Sequence, residues 1–325
     1  MTVPGTISRR AALGALCGAA ALTLPRAARA AEPLQVVATT GMIGDVVASV
    51  GGAEVQARSL MGPGLDPHAF RPTRTDILAM ARADMVAWHG LGLEAQLEPF
   101  LADLAGTKPV VALGETVPED RLIPHDEYAD AHDPHVWMDP ELWALVALAA
   151  RDHLAEVRPG AASAFTANAE AYGAEAARLH GYAQEVLASV PEAARVLVTA
   201  HDAFAYFGRA YGFEVLGIQG ISTESEAGLN RIGELVEVLV GRGIGAVFVE
   251  SSVSDRNIRA LIEGAAARGH EVIVGGELFS DAMGPAGSYE GTWVGMIDHN
   301  VTTIAGALGG RVPQRGLNGR LSAGL

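Results

Sequence analysis

The stretch "GAVFVESSVSDRNIRALIEGAAARGHEVIVGG", residues 245–276, decides the fold. It opens on a β-branched run (245–250), passes into an amphipathic segment (255–269) and closes on a second apolar run (270–276). A strand, a helix and another strand in that order make a parallel unit, because parallel strands need a long crossover between them. The same rhythm extends upstream. "ARVLVTA" (194–200) and "FEVLGI" (213–218) read as strands, and "LNRIGELVEVLVGRG" (229–243) reads as a helix. Nearer the N-terminus the strands are "LQVVATT" (34–40), "VQARSL" (55–60), "DMVAWHG" (84–90) and "KPVVAL" (108–113). "MIGDVVASVGG" and "RTDILAMARA" are the helices between them. Two such sets predict an α/β chain of two lobes, each with a mostly parallel sheet flanked by helices.

The segment between the sets is Ala- and Glu-rich from Pro159 to about Val190, and only Gly160, Gly173 and Gly181 weaken it as a helix. Some thirty helical residues would span ~45 Å, more than one lobe needs. The expected organisation is therefore an export signal at 1–30, an N-terminal lobe at 31–158, a linking helix at 159–191 and a C-terminal lobe at 192–325. A rigid helical connector predicts little opening and closing of the lobes.

The N-terminal segment has the three parts of an export signal. Arg9 and Arg10 supply the charge, residues 11–24 are apolar or small, and Ala28-Arg29-Ala30 offers a cleavage site near Ala30. The paired arginines fit either a twin-arginine signal or the basic region of an ordinary one. Cys17, the only cysteine, follows Leu16 inside the apolar run, which disfavours lipid attachment and leaves a mature chain with neither disulfides nor thiolate ligands. Removing residues 1–30 takes away four arginines and no acid, so 19 basic residues face 38 acidic ones and the net charge becomes −19. A nucleic-acid partner is excluded on that balance. No later apolar run reaches the ~20 residues of a membrane span.

Ligands of open α/β sheets bind beyond the carboxyl ends of the strands, and four metal-ligating residues stand there. His68 follows a strand and a Gly-Pro-Gly loop, His201 directly follows "ARVLVTA", and Asp281 lies in the loop after "HEVIVGG". His135 precedes a helix whose start is marked by Asp139 as cap and Pro140 at the first position. His68 and His135 each close an Asp-Pro-His tripeptide (66–68 and 133–135), where proline stiffens the backbone. Imidazole and carboxylate are the ligands that zinc and related divalent ions take when no thiolate is present. A lone loop histidine is more often a surface or hydrogen-bonded core residue than a ligand, and spacing does not establish convergence. Glu250, Ser251, Thr223 and Glu224 either orient ligands or shape turns, Asp66 and Asp133 read as loop-shaping, and Trp137 reads as packing. His89, His153, His180, His270 and His299 read as structural or surface.

The stretches "VVATTGMIGDVV" (36–47), "DPHAFRPTRTDI" (66–77), "WHGLGLE" (88–94), "DPHVWMDP" (133–140), "VTAHDAFAYFGRAYG" (198–212), "GISTESEAG" (220–228), "VFVESSVSDRNI" (247–258), "GELFSDAMG" (276–284) and "YEGTWVGMIDHNV" (289–301) resemble the metal-binding receptors of zinc and manganese ABC transporters, the Tro-, Znu- and pneumococcal-adhesin-type family. They cover nearly the whole mature chain in the family's order. The resemblance implies one metal ion held between two α/β lobes by His68, His135, His201 and Asp281. It implies delivery of that ion to a membrane permease and its cytoplasmic ATPase by a periplasmic protein, expected here as a monomer. Some manganese receptors of the family have glutamate where this chain has His201, which tilts the ion toward Zn2+ over Mn2+. The loop "PHDEYADAHDPH" (124–135) is much shorter than the His-rich insertion of many zinc receptors, and neither His125 nor His132 is assigned as a ligand.

The rival class is a secreted metal-dependent hydrolase using the same three histidines and aspartate. Catalysis needs an open coordination position and a general base. The chain has no His-Glu-x-x-His helix and no Gly-x-Ser-x-Gly elbow. Four protein ligands favour storage and delivery, so a receptor and not an enzyme is expected.

Overall fold

A computed structural model describes Met1 and residues 32–125, 131–225 and 227–322. The features read as an export signal, with Arg9, Arg10 and Cys17, lie outside the described residues, as does the middle of the 124–135 loop.

Strands β1 (Leu34–Ala38), β2 (Val55–Ser59), β3 (Met85–Trp88) and β4 (Val110–Ala112) form one sheet in the order β2-β1-β3-β4, parallel throughout. Helix α1 (Gly41–Gly51) begins where the Thr40 side chain accepts the Ile43 N–H, and its buried Met42, Ile43, Val46, Val47 and Val50 recur at helical spacing. It ends at Gly52, whose φ of 52° turns the chain toward β2. In α2 (Arg74–Arg82), Thr73 and Asp76 exchange side-chain and backbone hydrogen bonds in a capping box. Helix α3 (Glu98–Ala105), with Glu98 and Pro99 in its first turn, follows β3.

Helix α4 (Pro140–Val157) starts on the expected cap, Asp139, with proline at its first position. A single turn, Pro159–Ala161, joins it to α5 (Ala162–Ala188), the long connecting helix. At 27 residues α5 is about 40 Å long, slightly shorter than expected because the chain after Pro159 first makes that turn. Its buried face, Phe165, Ala169, Tyr172, Ala176, Leu179, Ala183 and Val186, alternates steps of four and three, the pattern of a helix packed lengthwise on others. Gly173 and Gly181 sit off that face with open space where a side chain would be.

After α5 come β5 (Val196–Thr199), α6 (Ala205–Tyr211), β6 (Glu214–Gly217), α7 (Leu229–Arg242), β7 (Ala246–Glu250), α8 (Arg256–Ala266), β8 (Ile273–Leu278) and α9 (Trp293–Ala307). The strand pairing here departs from a single parallel sheet. β5 pairs with β6 and β7 with β8, both parallel, while β5 packs alongside β7 with no ladder between them among the described residues. β8 also starts later than its apolar run. The N–H groups of Gly269 and His270 bond back to Ala266 and Ala265, so the segment to Val272 closes off α8 before pairing begins. Val247 and Phe248 then face Val274 and Gly276, leaving Gly275 as an extra residue, and a Cβ at Gly276 would lie 2.4 Å from Thr303 of α9. The shift carries β8 to Leu278, within three residues of Asp281.

One hydrophobic core runs from β1 through α4 and α5 to α9, so strands on either side of the long helix share it. Trp143, Tyr172 and Trp293 form its centre: Tyr172 stacks on Trp293 at 5.7 Å and accepts the Trp143 indole N–H at 3.0 Å. Residues Pro33–Leu325 form one compact unit. No helix among the described residues is long and apolar enough to cross a membrane.

Candidate metal centre

The four residues singled out at strand ends meet at one point. His68 lies beyond β2, His135 in the turn before α4, His201 two residues past β5 and Asp281 past β8, and one ligand atom from each falls within 4.8 Å of all the others. Asp281 is central. Its Oδ2 lies 3.1 Å from His201 Nε2 and 3.7 Å from His68 Nε2, and its Oδ1 lies 3.4 Å from His135 Nε2. His68 and His135 present their Nε2 atoms to one another at 3.4 Å. A tetrahedral ion with bonds of ~2.0–2.1 Å has ligand–ligand edges of ~3.3–3.4 Å, so these separations suit one small divalent ion. All four side chains are buried, and His201 Nε2 and both Asp281 oxygens have no hydrogen-bond partner. Three histidines and one carboxylate are a donor set that zinc or another first-row ion accepts.

Each ligand is held by its own support. The two Asp-Pro-His copies share a turn, in which the aspartate accepts the backbone N–H of the histidine two residues on, at 2.9 Å for Asp66 and His68 and 2.8 Å for Asp133 and His135. They then diverge. Asp133 Oδ1 also faces His135 Nδ1 at 2.7 Å, whereas Asp66 turns its other oxygen to the Thr223 hydroxyl at 2.5 Å. Glu250, at the end of β7, does for His201 what Asp133 does for His135: Oε1 accepts its backbone N–H at 2.9 Å and Oε2 faces Nδ1 at 2.5 Å. A carboxylate on Nδ1 fixes the ring and directs Nε2 at the centre.

The electrostatics follow from these contacts. Burial lowers the His135 pKa, but Asp133 and Asp281 outweigh it and raise it to about 9. For His201, burial is likewise overcome by Glu250 and Asp281, and its pKa stands well above the ordinary value. His68 has no carboxylate on Nδ1 comparable to theirs, and burial pushes it down to about 3. Asp281 would be raised by burial, yet His201 and His135 hold it well below the usual carboxylate range. Without an ion, the Asp281 carboxylate and two imidazoles that favour protonation balance one another, and a divalent ion would take the place of the imidazole protons.

Support unseen in the sequence comes from His89 and two tryptophans. His89, read as structural or surface, is fully buried between Trp137 and Trp143, and its Nε2 lies 2.6 Å from the carbonyl of Pro134, beside His135. Trp137, read as packing, also donates its indole N–H to the Ser280 carbonyl at 2.8 Å, joining the His135 turn to the Asp281 loop. Trp293 in turn donates to the Trp137 carbonyl at 3.0 Å. Asn300 of α9 bonds both the N–H and the carbonyl of Phe279, fixing the end of β8. Among the supports, the sequence offers Glu250 at its strand end and Thr223, which bonds Asp66; His89, Trp137, Trp293 and Asn300 act through pairings between segments distant in sequence. His125 and His132 do not join the cluster.

A sequence model of the periplasmic zinc-uptake complex component A family, ZnuA, matches residues 36–307. The chain is 45% identical over 277 residues to the manganese-binding lipoprotein MntA of Bacillus subtilis, covering 85% of this chain and 90% of that protein. It is 44% identical over 282 residues to the zinc-binding protein TroA of Treponema pallidum, covering 87% and 91%. The solved structure of that periplasmic zinc-binding protein superposes with a TM-score of 0.83 over 85% of this chain and 99% of its own. With the family model spanning most of the sequence and two such relatives matched almost end to end, this chain belongs to the ZnuA family of metal-binding transport proteins.

Proposed function

We propose that this chain is an exported receptor that takes one divalent transition-metal ion at His68, His135, His201 and Asp281 and delivers it to an ABC importer. The observation that carries this reading is the Asp281 carboxylate, buried with both oxygens lacking hydrogen bonds and faced by imidazole nitrogens from three other loops. A buried carboxylate left in that state is costly, and an ion offsets the cost by bonding all four donors at once. Asp133 and Glu250 hold the imidazoles with Nε2 turned inward, so little ordering remains when the ion arrives. The ion is cargo. Catalytic zinc sites keep three protein ligands and an open position for water, whereas this cluster offers four protein donors, which favours carriage of the ion over hydrolysis.

Zinc is the favoured ion, because three imidazoles suit it better than manganese, which takes more oxygen. The relatives do not separate the two, since one named for manganese and one named for zinc are 45% and 44% identical to this chain. The partners are the permease and, through it, its ATPase. The mature protein is a periplasmic monomer after cleavage near Ala30, with lobes at 31–158 and 192–325 about the linking helix. Growth of a deletion strain under separate zinc and manganese starvation, with metal analysis of protein taken from its native compartment, tests the assignment. Failure to grow without zinc and zinc in the isolated protein support it; dependence on manganese alone reverses the choice of ion, and metal-dependent hydrolysis by the purified protein contradicts the receptor reading.

A further inference from the structure

The ion must pass between buried donors and solvent, and the surroundings of the centre differ on its two sides. On the Asp281 side lies a cavity of about 370 Å³ lined by Gly41, Asp45, Ser59, Met61, Gly62 and Pro63 on one wall and by the Asp281–Gly284 segment, Ala286, Gly287 and Gly291 on the other. Asp281, buried and without a hydrogen bond, forms its inner end. No lysine or arginine lines it, and Asp45 places a second carboxylate along it. On the Asp66 side a smaller cavity of about 220 Å³ is lined by Asp66, Thr223, Gln219, the Ser252–Ser254 segment, Arg256 and Asn257; it reaches none of the four ligands, and its Asp66 carboxylate is already engaged by the Thr223 hydroxyl and the His68 N–H. The first cavity reaches a ligand directly and has two carboxylates and no cationic side chain along it, which draws a cation inward, whereas the second stops short of all four ligands.

We propose that the ion enters and leaves through the cavity on the Asp281 side, meeting the Asp45 carboxylate before Asp281, an inference that rests on the receptor reading above. Met283 is the movable part of this route. Its terminal methyl lies 3.1 Å from where a Cβ on Gly41 would be, so the side chain rests on the bare backbone at the start of α1. A thioether chain with three rotatable bonds can swing aside without disturbing the fold, and glycine at 41 leaves it the space.

The mature chain has no cysteine, so one introduced thiol can be labelled alone. Ala286→Cys, exposed on the cavity wall, and Ser254→Cys, exposed on the other side, are each coupled to a bulky maleimide. Zinc association is followed by tryptophan fluorescence, since Trp137 lies 5.2 Å from the His135 ring, and release is driven by excess chelator. The label at Ala286→Cys is expected to slow association and release together by about an order of magnitude, leaving the equilibrium constant nearly unchanged, and the label at Ser254→Cys to change neither. Asp45→Asn is expected to slow association a few-fold at low ionic strength, with the difference fading in salt; an effect independent of salt assigns Asp45 to structure and removes it from the route. Unchanged rates in the labelled Ala286→Cys protein, or slowing only from the Ser254→Cys label, overturn the route. Absence of zinc binding before any labelling overturns the receptor reading itself.

Discussion

His201 and His135 each carry a carboxylate on Nδ1 and point Nε2 at Asp281, and that geometry fixes what single substitutions should do. Glu250→Gln keeps the shape but removes the charge behind His201, so zinc affinity should fall ~10–100-fold in a chelator competition. His201→Ala and Asp281→Ala should each cost more, because a donor is lost outright; near-normal affinity in either would remove that residue from the set. The raised pKa of His135, about 9, and that of His201, well above the ordinary value, give the direction of the pH dependence. Those directions favour an extra proton on both rings at neutral pH when no ion is bound, whereas burial, lowering His68 to about 3, leaves that ring neutral. Zinc must displace those protons, so affinity should fall as pH falls. Calorimetry at pH 7 in buffers of different ionisation enthalpy should report about two protons released per ion, and none released would contradict the electrostatics described.

At the scale of elements, α5 is what the linking segment promised, and its heptad-like face explains how a sequence so rich in alanine stays in place. Leu179→Ala should destabilise the protein by ~2–5 kcal/mol in denaturant titration, since Leu179 is fully buried on that face. Most strands and helices were legible because period-two and helical patterns are local. What was not legible depended on partners. The start of β8 moved because backbone bonds at Gly269 and His270 competed with an apolar run, and the separate β5-β6 and β7-β8 pairs reflect ladder contacts that alternation cannot specify. At the site, strand-end position marked His68, His135, His201 and Asp281 as candidates, and the family resemblance made them a set. The difference between the two Asp-Pro-His turns, and the parts played by His89 and Trp137, depended on contacts spanning tens of residues or more.

For the whole molecule, the shared core and the indole bond from Trp137 to the Ser280 carbonyl leave the halves little freedom to separate. Small-angle scattering should therefore show a radius of gyration that changes by less than about 1 Å between metal-free and zinc-loaded protein, whereas a change of several ångströms would indicate hinge opening. The central claim is that four named side chains hold one ion, and anomalous diffraction from crystals of the zinc-loaded protein tests it most directly. The account predicts a single peak at about 2.0–2.1 Å from Nε2 of His68, His135 and His201 and from a carboxylate oxygen of Asp281. A zinc peak elsewhere, or one lacking any of these four ligands, would contradict it.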